Sequence, residues 1–130
     1  MTVFVSFSHD DAVAAGHILE GLAKSVQIAG WKDDADVTST QAIGAQIRQK
    51  LSQASAVIVL VSRNALNSRW VQFEVGAAEG MGKRIIPVFI DGRGPEALPP
   101  WLATWKAMDV RGLSPERAAA LIREILQQDS

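Results

Sequence analysis

The sequence predicts an α/β fold, a three-layer sandwich with a five-stranded parallel sheet and helices on both of its faces. Short apolar runs rich in β-branched residues alternate along the chain with amphipathic segments of helical period, which indicates repeated strand–helix–strand units. The most apolar run, Ala56–Val61, lacks polar alternation, as expected of a central strand that is buried on both faces. We expect a single domain over residues 1–130, a length that can bury a substantial core.

The first strand is predicted over residues 2–8, a β-branched and aromatic run that ends at polar His9. The helix after it has an apolar stripe at helical spacing, formed by Ala15, Ile18, Leu19, Leu22 and Val26. A short second strand is predicted over residues 27–32, followed by an acidic loop over residues 33–36.

The second helix is predicted to begin within the polar segment 37–41. Its apolar stripe has a spacing of four residues and contains Ile43, Ile47 and Leu51. After the central strand, the polar segment 62–68 leads into a helix that runs to about Met81 and ends at Gly82. The apolar stripe of this helix is expected to contain Phe73, Ala77, Ala78 and Met81.

A fourth strand is predicted over residues 84–90, with Pro87 marking a strand end or a bulge. A weak fifth strand over residues 105–110 precedes a helix that Ser114 caps. The buried stripe of this last helix contains Ala118, Leu121, Ile122 and Ile125. Five parallel strands in a chain of this length favour the flavodoxin-like order 2-1-3-4-5. A ligand crevice then lies beyond the carboxyl ends of the first and third strands.

Composition excludes several classes of function. The net charge is -1 and the isoelectric point is near 6.1, so no basic surplus indicates nucleic acid as a partner. The chain has no cysteine, and its two histidines, His9 and His17, belong to no cluster with zinc-ligand spacing. No apolar run approaches the length of a membrane span. We therefore expect a cytoplasmic protein with no metal site and no membrane partner.

A carboxylate is predicted near that crevice. Trp70 and Glu74 lie four residues apart on one face of the helix that follows the central strand. This glutamate is at the edge of an apolar stripe, just past the end of a strand. In open α/β sheets, ligands bind and react in this region. A lone helical glutamate is also commonly a solvated surface residue, so both interpretations are open at this point.

Four segments, in order, resemble TIR domains (Toll/interleukin-1 receptor/resistance domains). V-F-V-S-F-S at residues 3–8 is similar to their first box, and W-K-D-D-A-D-V at residues 31–37 to their second strand and the start of their BB loop. Residues 62–74 contain an S-x-W-x-x-x-E helix start that ends at Glu74, and I-I-P-V-F at residues 85–89 also fits. The resemblance covers nearly the whole chain.

The resemblance implies an NAD+ glycohydrolase (NADase) that cleaves the nicotinamide–ribose bond and releases nicotinamide with ADP-ribose or a cyclic ADP-ribose product. Glu74 would be the catalytic residue, NAD+ the substrate, and no cofactor would be needed. The expected substrate-binding residues are Phe7, Ser8, Trp31, Lys32, Asp33, Arg63 and Trp70. For several of them a structural role competes: Ser8 as a helix cap, Phe7 and Trp70 as core residues, and Lys32 and Arg63 as plain surface charges.

Two other functions remain open. The first is a non-catalytic assembly module that binds other TIR domains through the loop at residues 33–41, as a homo-oligomer or a filament on activation. The second is nucleoside or nucleotide binding without turnover. The presence of Glu74 favours the enzyme, since a pure adaptor does not require it. The resemblance also implies a role in bacterial immune signalling, antiphage defence or virulence with a sensor or effector partner, and activity that rises with clustering.

Overall fold

The structure is a computed structural model that describes residues 1–29 and 40–128. Its sheet has five parallel strands in the order β2-β1-β3-β4-β5, which confirms the predicted flavodoxin-like fold. The strands are β1 (Thr2–Ser6), β2 (Gln27–Ile28), β3 (Ala56–Val61), β4 (Arg84–Phe89) and β5 (Met108–Asp109).

Helices cover both faces of the sheet. They are α1 (Ala12–Leu22), α2 (Thr40–Gln53), α3 (Arg63–Leu66), α4 (Arg69–Gly80) and α5 (Pro115–Gln128). The one-turn helix α3 was not predicted from the sequence. It forms because the Ser62 hydroxyl accepts a hydrogen bond from the Ala65 amide at 2.9 Å, and Ser68 then caps α4 in the same way through the Val71 amide. The segment after β3 thus turns twice before it enters α4.

Two apolar layers form the core, one on each face of the sheet. The first includes residues of α1 and α5, and the second includes residues of α2 and α4. Strand β3 contributes to both layers, and none of its side chains is more than 2% exposed. Along β1, Val3 and Val5 pack with the first layer, whereas Phe4 packs with the second. Strand alternation therefore places Ser6 on the same face as α4.

Several predicted strand ends were wrong. Strand β1 ends at Ser6 because the Ser8 hydroxyl accepts a hydrogen bond from the Asp10 amide at 3.3 Å and caps a 3₁₀ turn at His9–Asp11. The fifth strand has two residues, Met108–Asp109, since only these pair with β4. The predicted end of the second strand, at residues 30–32, lies outside the described residues.

The expectation for Pro87 was also wrong. Pro87 lies inside β4, where it is paired in register with Val59 of β3, and it marks neither an end nor a bulge. Strand β5 pairs with β4 only from Val88 onward, so at Pro87 strand β4 is paired with β3 alone among the described strands. A missing amide donor is tolerated at such an edge position.

Candidate active site

The buried face of α4 differs from the predicted one. The buried residues of this helix are Val71, Glu74, Val75 and Ala78. The side chains of Phe73 and Met81 are 51% and 39% exposed, so the prediction that they share the buried stripe was wrong. Apolar residues occur on more than one side of this helix, and packing against the sheet selects the side that contains Val71, Val75 and Ala78. That choice turns Glu74 inward.

Glu74 is a buried acidic residue at the carboxyl end of the sheet. Its side chain is 5% exposed, and its Oε1 accepts a 2.7 Å hydrogen bond from the hydroxyl of Ser6, the last residue of β1. An ionised carboxylate costs several kcal/mol to bury, and glutamate is almost never fully buried without a partner. Burial therefore excludes the interpretation of Glu74 as a solvated surface residue. The hydrogen bond also identifies Ser6, which was not predicted, as a member of the candidate site.

An aromatic group borders this carboxylate. Trp70, one helical turn before Glu74, is half-buried against the α4 side of the core. Its ring centroid lies 6.2 Å from that of Phe73 and 6.3 Å from that of His9, in tilted arrangements. These distances are typical of favourable aromatic pairs. His9 was not predicted as a site residue, although its place in the loop after β1, at the expected crevice, is a usable signal.

The loops after β1 and β3 are joined by a buried polar network. The Ser62 hydroxyl donates a short hydrogen bond to Asp11 Oδ2, while Asn64 Nδ2 donates to Asp11 Oδ1 at 2.8 Å. Ser62 and Asp11 are 1% and 8% exposed. Because β1 and β3 are adjacent while their chains continue to opposite sides of the sheet, this network spans the topological switch point. It holds the loop that contains His9 against the start of α3.

The structure does not bring all of the predicted site residues together. Ser8 is buried and acts as a cap, and Phe7 packs against the core layer on the opposite face of the sheet from Glu74. Arg63 is exposed and lines a different cleft, beside the loop after β4. Trp31, Lys32 and Asp33 lie outside the described residues, so their role stays a prediction.

A family model described as the TIR domain matches residues 3–126. The chain belongs to the TIR domain family. This confirms the resemblance seen in the four sequence segments, among them the one that ends at Glu74. No protein of curated function matches the sequence.

Solved structures similar to this TIR domain share its fold at low sequence identity. The TIR domains of the activated Roq1 resistosome, which directly recognises the pathogen effector XopQ, align with a TM-score of 0.69 at 18% identity, covering 96% of this chain and 98% of that one. A metazoan TIR-STING receptor from C. gigas, in complex with 2',3'-cGAMP, gives 0.74 at 20% identity, covering 97% of this chain and 39% of that one. The CMP N-glycosidase BcmB of Clostridium botulinum gives 0.63 at 16%, covering 96% and 99%.

Across residues 1–29 and 40–128, no three His, Cys, Asp or Glu side chains are grouped so as to hold a metal ion. Within the same residues, no helix has both the length and the apolar character needed to cross a bilayer.

Proposed function

We propose that this TIR domain cleaves the N-glycosidic bond between nicotinamide and ribose in NAD+. The observation that carries the proposal is the buried carboxylate of Glu74, which is bonded to the Ser6 hydroxyl at the carboxyl edge of the sheet and lies one helical turn after Trp70. A buried acid with an aromatic neighbour is costly to maintain in a fold and is typical of a catalytic site.

The chemistry needs one well-placed carboxylate. Nicotinamide leaves as a neutral base from a cationic pyridinium, so no general acid is required. Positive charge then develops at the anomeric carbon and the ring oxygen of the ribose, as in glycoside hydrolysis. The carboxylate of Glu74 stabilises that charge, and its low exposure strengthens the interaction. Ser6 fixes the position of Oε1 before the substrate arrives.

The second half of the reaction decides the product. When water attacks the anomeric carbon, the C–O bond replaces the broken C–N bond, a proton is released, and the product is ADP-ribose. When a nitrogen of the adenine attacks instead, the product is a cyclic ADP-ribose. The half-buried ring of Trp70, with His9 and Phe73 beside it, supplies an aromatic surface for the flat nicotinamide.

The leaving group favours NAD+ over other N-glycosides. One similar structure is named as a CMP N-glycosidase, so a protein of this fold acts on a nucleotide N-glycosidic bond. The cytosine of CMP is an uncharged base, so unlike nicotinamide it leaves as an anion unless an acid protonates it. The carboxyl of Asp11, the other buried acid at this edge of the sheet, is already bonded to Ser62 and Asn64. This arrangement supports cleavage of a substrate whose leaving group already carries positive charge.

Assembly is a second candidate function. One similar structure contains TIR domains within an activated resistosome, and others are named as receptors. These names favour a role in immune signalling in which copies of this domain, or a sensor or effector protein, bring the sites together. Such assembly is compatible with catalysis, because a domain can bind a neighbouring copy and also bind NAD+.

A substrate panel tests the enzyme proposal. Concentrated protein is incubated separately with NAD+ and with CMP, and the released base is quantified by chromatography, with Trp70→Ala as a second protein. We expect nicotinamide from NAD+, no cytosine from CMP, and a reduced rate in Trp70→Ala. Release of cytosine without nicotinamide would mean that the substrate is a nucleoside monophosphate such as CMP and not NAD+. Release of neither base, with folding verified, would favour the assembly module.

A further inference from the structure

A cleft that shares no residue with the Glu74 site opens beside α3. Its volume is about 530 Å³, within the range of about 300–1,000 Å³ that is usual for small-molecule sites. It lies between α3 and the loop that follows β4, and it does not include Ser6, Trp70 or Glu74. The cleft is lined by Arg63, Leu66, Asn67, Phe89, Asp91, Gly92, Arg93 and Gly94.

The loop wall of this cleft is already held in place. The guanidinium of Arg111 donates to both carboxylate oxygens of Asp109, at 2.9 and 2.8 Å, and to the Gly92 carbonyl at 2.9 Å. The hydrogen bond from Arg111 lowers the pKa of the Asp109 carboxyl. Gly94 has a φ of +74°, and a Cβ there would lie 2.4 Å from Arg111 Cζ, so the guanidinium packs on this loop only because residue 94 is glycine.

The opposite wall is tied to the same loop. The backbone amide of Arg63, at the start of α3, donates a 2.9 Å hydrogen bond to Asp91 Oδ1. A Cβ at Gly92, whose φ is +80°, would lie 3.3 Å from Arg63 Cγ, so the stem of Arg63 rests against the loop backbone. The cleft is therefore preorganised from both sides. This reduces the conformational entropy that its loop loses when a ligand binds.

Positive charge lies on the rim and apolar surface inside. Arg63 and Arg93 are exposed, and among the described residues neither guanidinium forms an ion pair, whereas that of Arg111 is matched by Asp109. Two arginines against one aspartate leave the lining with one positive charge. Leu66 and Phe89 supply the apolar part of the lining. Guanidinium groups bind phosphate oxygens in a bidentate manner, and an apolar wall suits a flat ring.

We propose that this cleft binds a small organic phosphate of mononucleotide size, with its phosphate between Arg63 and Arg93 and its base against the half-buried Leu66. A phosphate monoester carries a charge of about -1.5 to -2 at neutral pH, opposite in sign to the net charge of the lining. This site is independent of the NAD+ cleavage proposed above, since it uses no residue of that site.

The test is an NMR titration of the full chain that follows the backbone amides of Gly92 and Gly94. AMP, inorganic phosphate and adenosine are added separately to the parent protein and to Arg63→Gln and Arg93→Gln. Arg69→Gln, which removes an exposed arginine of α4 outside the cleft, is the matched control. All three arginines are exposed, so each variant is expected to fold, and the dispersion of the amide spectrum verifies it.

We expect saturable shifts at Gly92 and Gly94 with AMP, weaker binding of inorganic phosphate and of adenosine, and a Kd for AMP raised about tenfold in each cleft variant. Arg69→Gln is expected to bind AMP as the parent does. Unchanged AMP binding in both cleft variants, or equal affinity for adenosine and AMP, would overturn the proposal. Shifts at these glycines that depend on protein concentration alone would also overturn it, since a second copy would then cover the cleft.

Discussion

At the level of single residues, the hydroxyl of Ser6 sets the orientation of the buried Glu74 carboxylate. Ser6 is 1% exposed, and its donation to Oε1 at 2.7 Å joins the end of β1 to the second turn of α4. A hydrogen bond to an ionised group is worth roughly 1.5–3 kcal/mol, and leaving its partner unsatisfied costs more than the bond itself contributes. The orientation of the carboxylate therefore depends on a side chain from another element.

Replacing Ser6 with alanine is expected to lower kcat for nicotinamide release about tenfold or more, while KM changes little, because the lost contact orients the catalytic group rather than the substrate. Steady-state kinetics checks this. Ser55→Ala is the control, since the Ser55 hydroxyl also bonds to β1, but to the Thr2 carbonyl at the opposite end of the strand from Glu74. Similar losses of kcat in both variants would show that Ser6 has only a structural role.

At the scale of elements, the network of Asp11, Ser62 and Asn64 fixes two loops across the switch point. Asp11 belongs to the 3₁₀ turn after β1, whereas Ser62 and Asn64 begin the segment that turns into α3. The Ser62 hydroxyl donates to Asp11 and also accepts from the Ala65 amide, so one side chain caps α3 and anchors it to the β1 loop. The position of His9 beside Trp70 depends on this anchor.

Asp11→Ala is expected to lower the free energy of unfolding by about 1–3 kcal/mol, because it leaves the buried hydroxyl of Ser62 without its acceptor and removes the hydrogen bond from the exposed Asn64 amide. Denaturant unfolding should show a lower midpoint with an unchanged slope. In a double-mutant cycle, Asp11→Ala combined with Ser62→Ala should cost clearly less than the sum of the single substitutions. Strict additivity would mean that the two side chains do not stabilise each other.

The same elements show what the sequence can predict. The strand order, the central strand and the helix that contains Glu74 follow from apolar runs and helical spacing, which are local properties. The Ser6–Glu74 contact joins residues 68 positions apart and depends on how α4 packs on the sheet, which no local pattern encodes. Phe73 was assigned to the wrong face for the same reason. The short helix α3 was missed because one serine cap and four residues give a weak periodic signal.

At the scale of the whole molecule, clustering is the proposed control of activity. The aromatic edge of the site is open to solvent at Phe73, which is 51% exposed, and a TIR domain structure of similar fold belongs to a resistosome. An exposed edge beside a buried carboxylate leaves room for a neighbouring copy to complete the wall of the site and to exclude water. The proposed catalysis and the proposed assembly are thus parts of one mechanism.

If clustering controls activity, nicotinamide release per mole of protein rises as the protein concentration is raised, because assembly follows mass action. The measurement is specific activity over a wide range of protein concentration, alongside the oligomeric state from sedimentation. Phe73→Ser is expected to weaken the rise without unfolding the chain, since its side chain is exposed. Constant specific activity over the whole range would contradict control by clustering.

If the carboxylate of Glu74 performs the chemistry, its charge determines the rate of nicotinamide release at saturating NAD+. Glu74→Gln keeps the shape of the side chain and removes its charge, and Glu79→Gln makes the same change at an exposed position of the same helix. We predict a loss of at least a hundredfold, about 2.7 kcal/mol in the activation free energy, for Glu74→Gln and none for Glu79→Gln. Equal release by the parent and both variants would mean that Glu74 is not the catalyst.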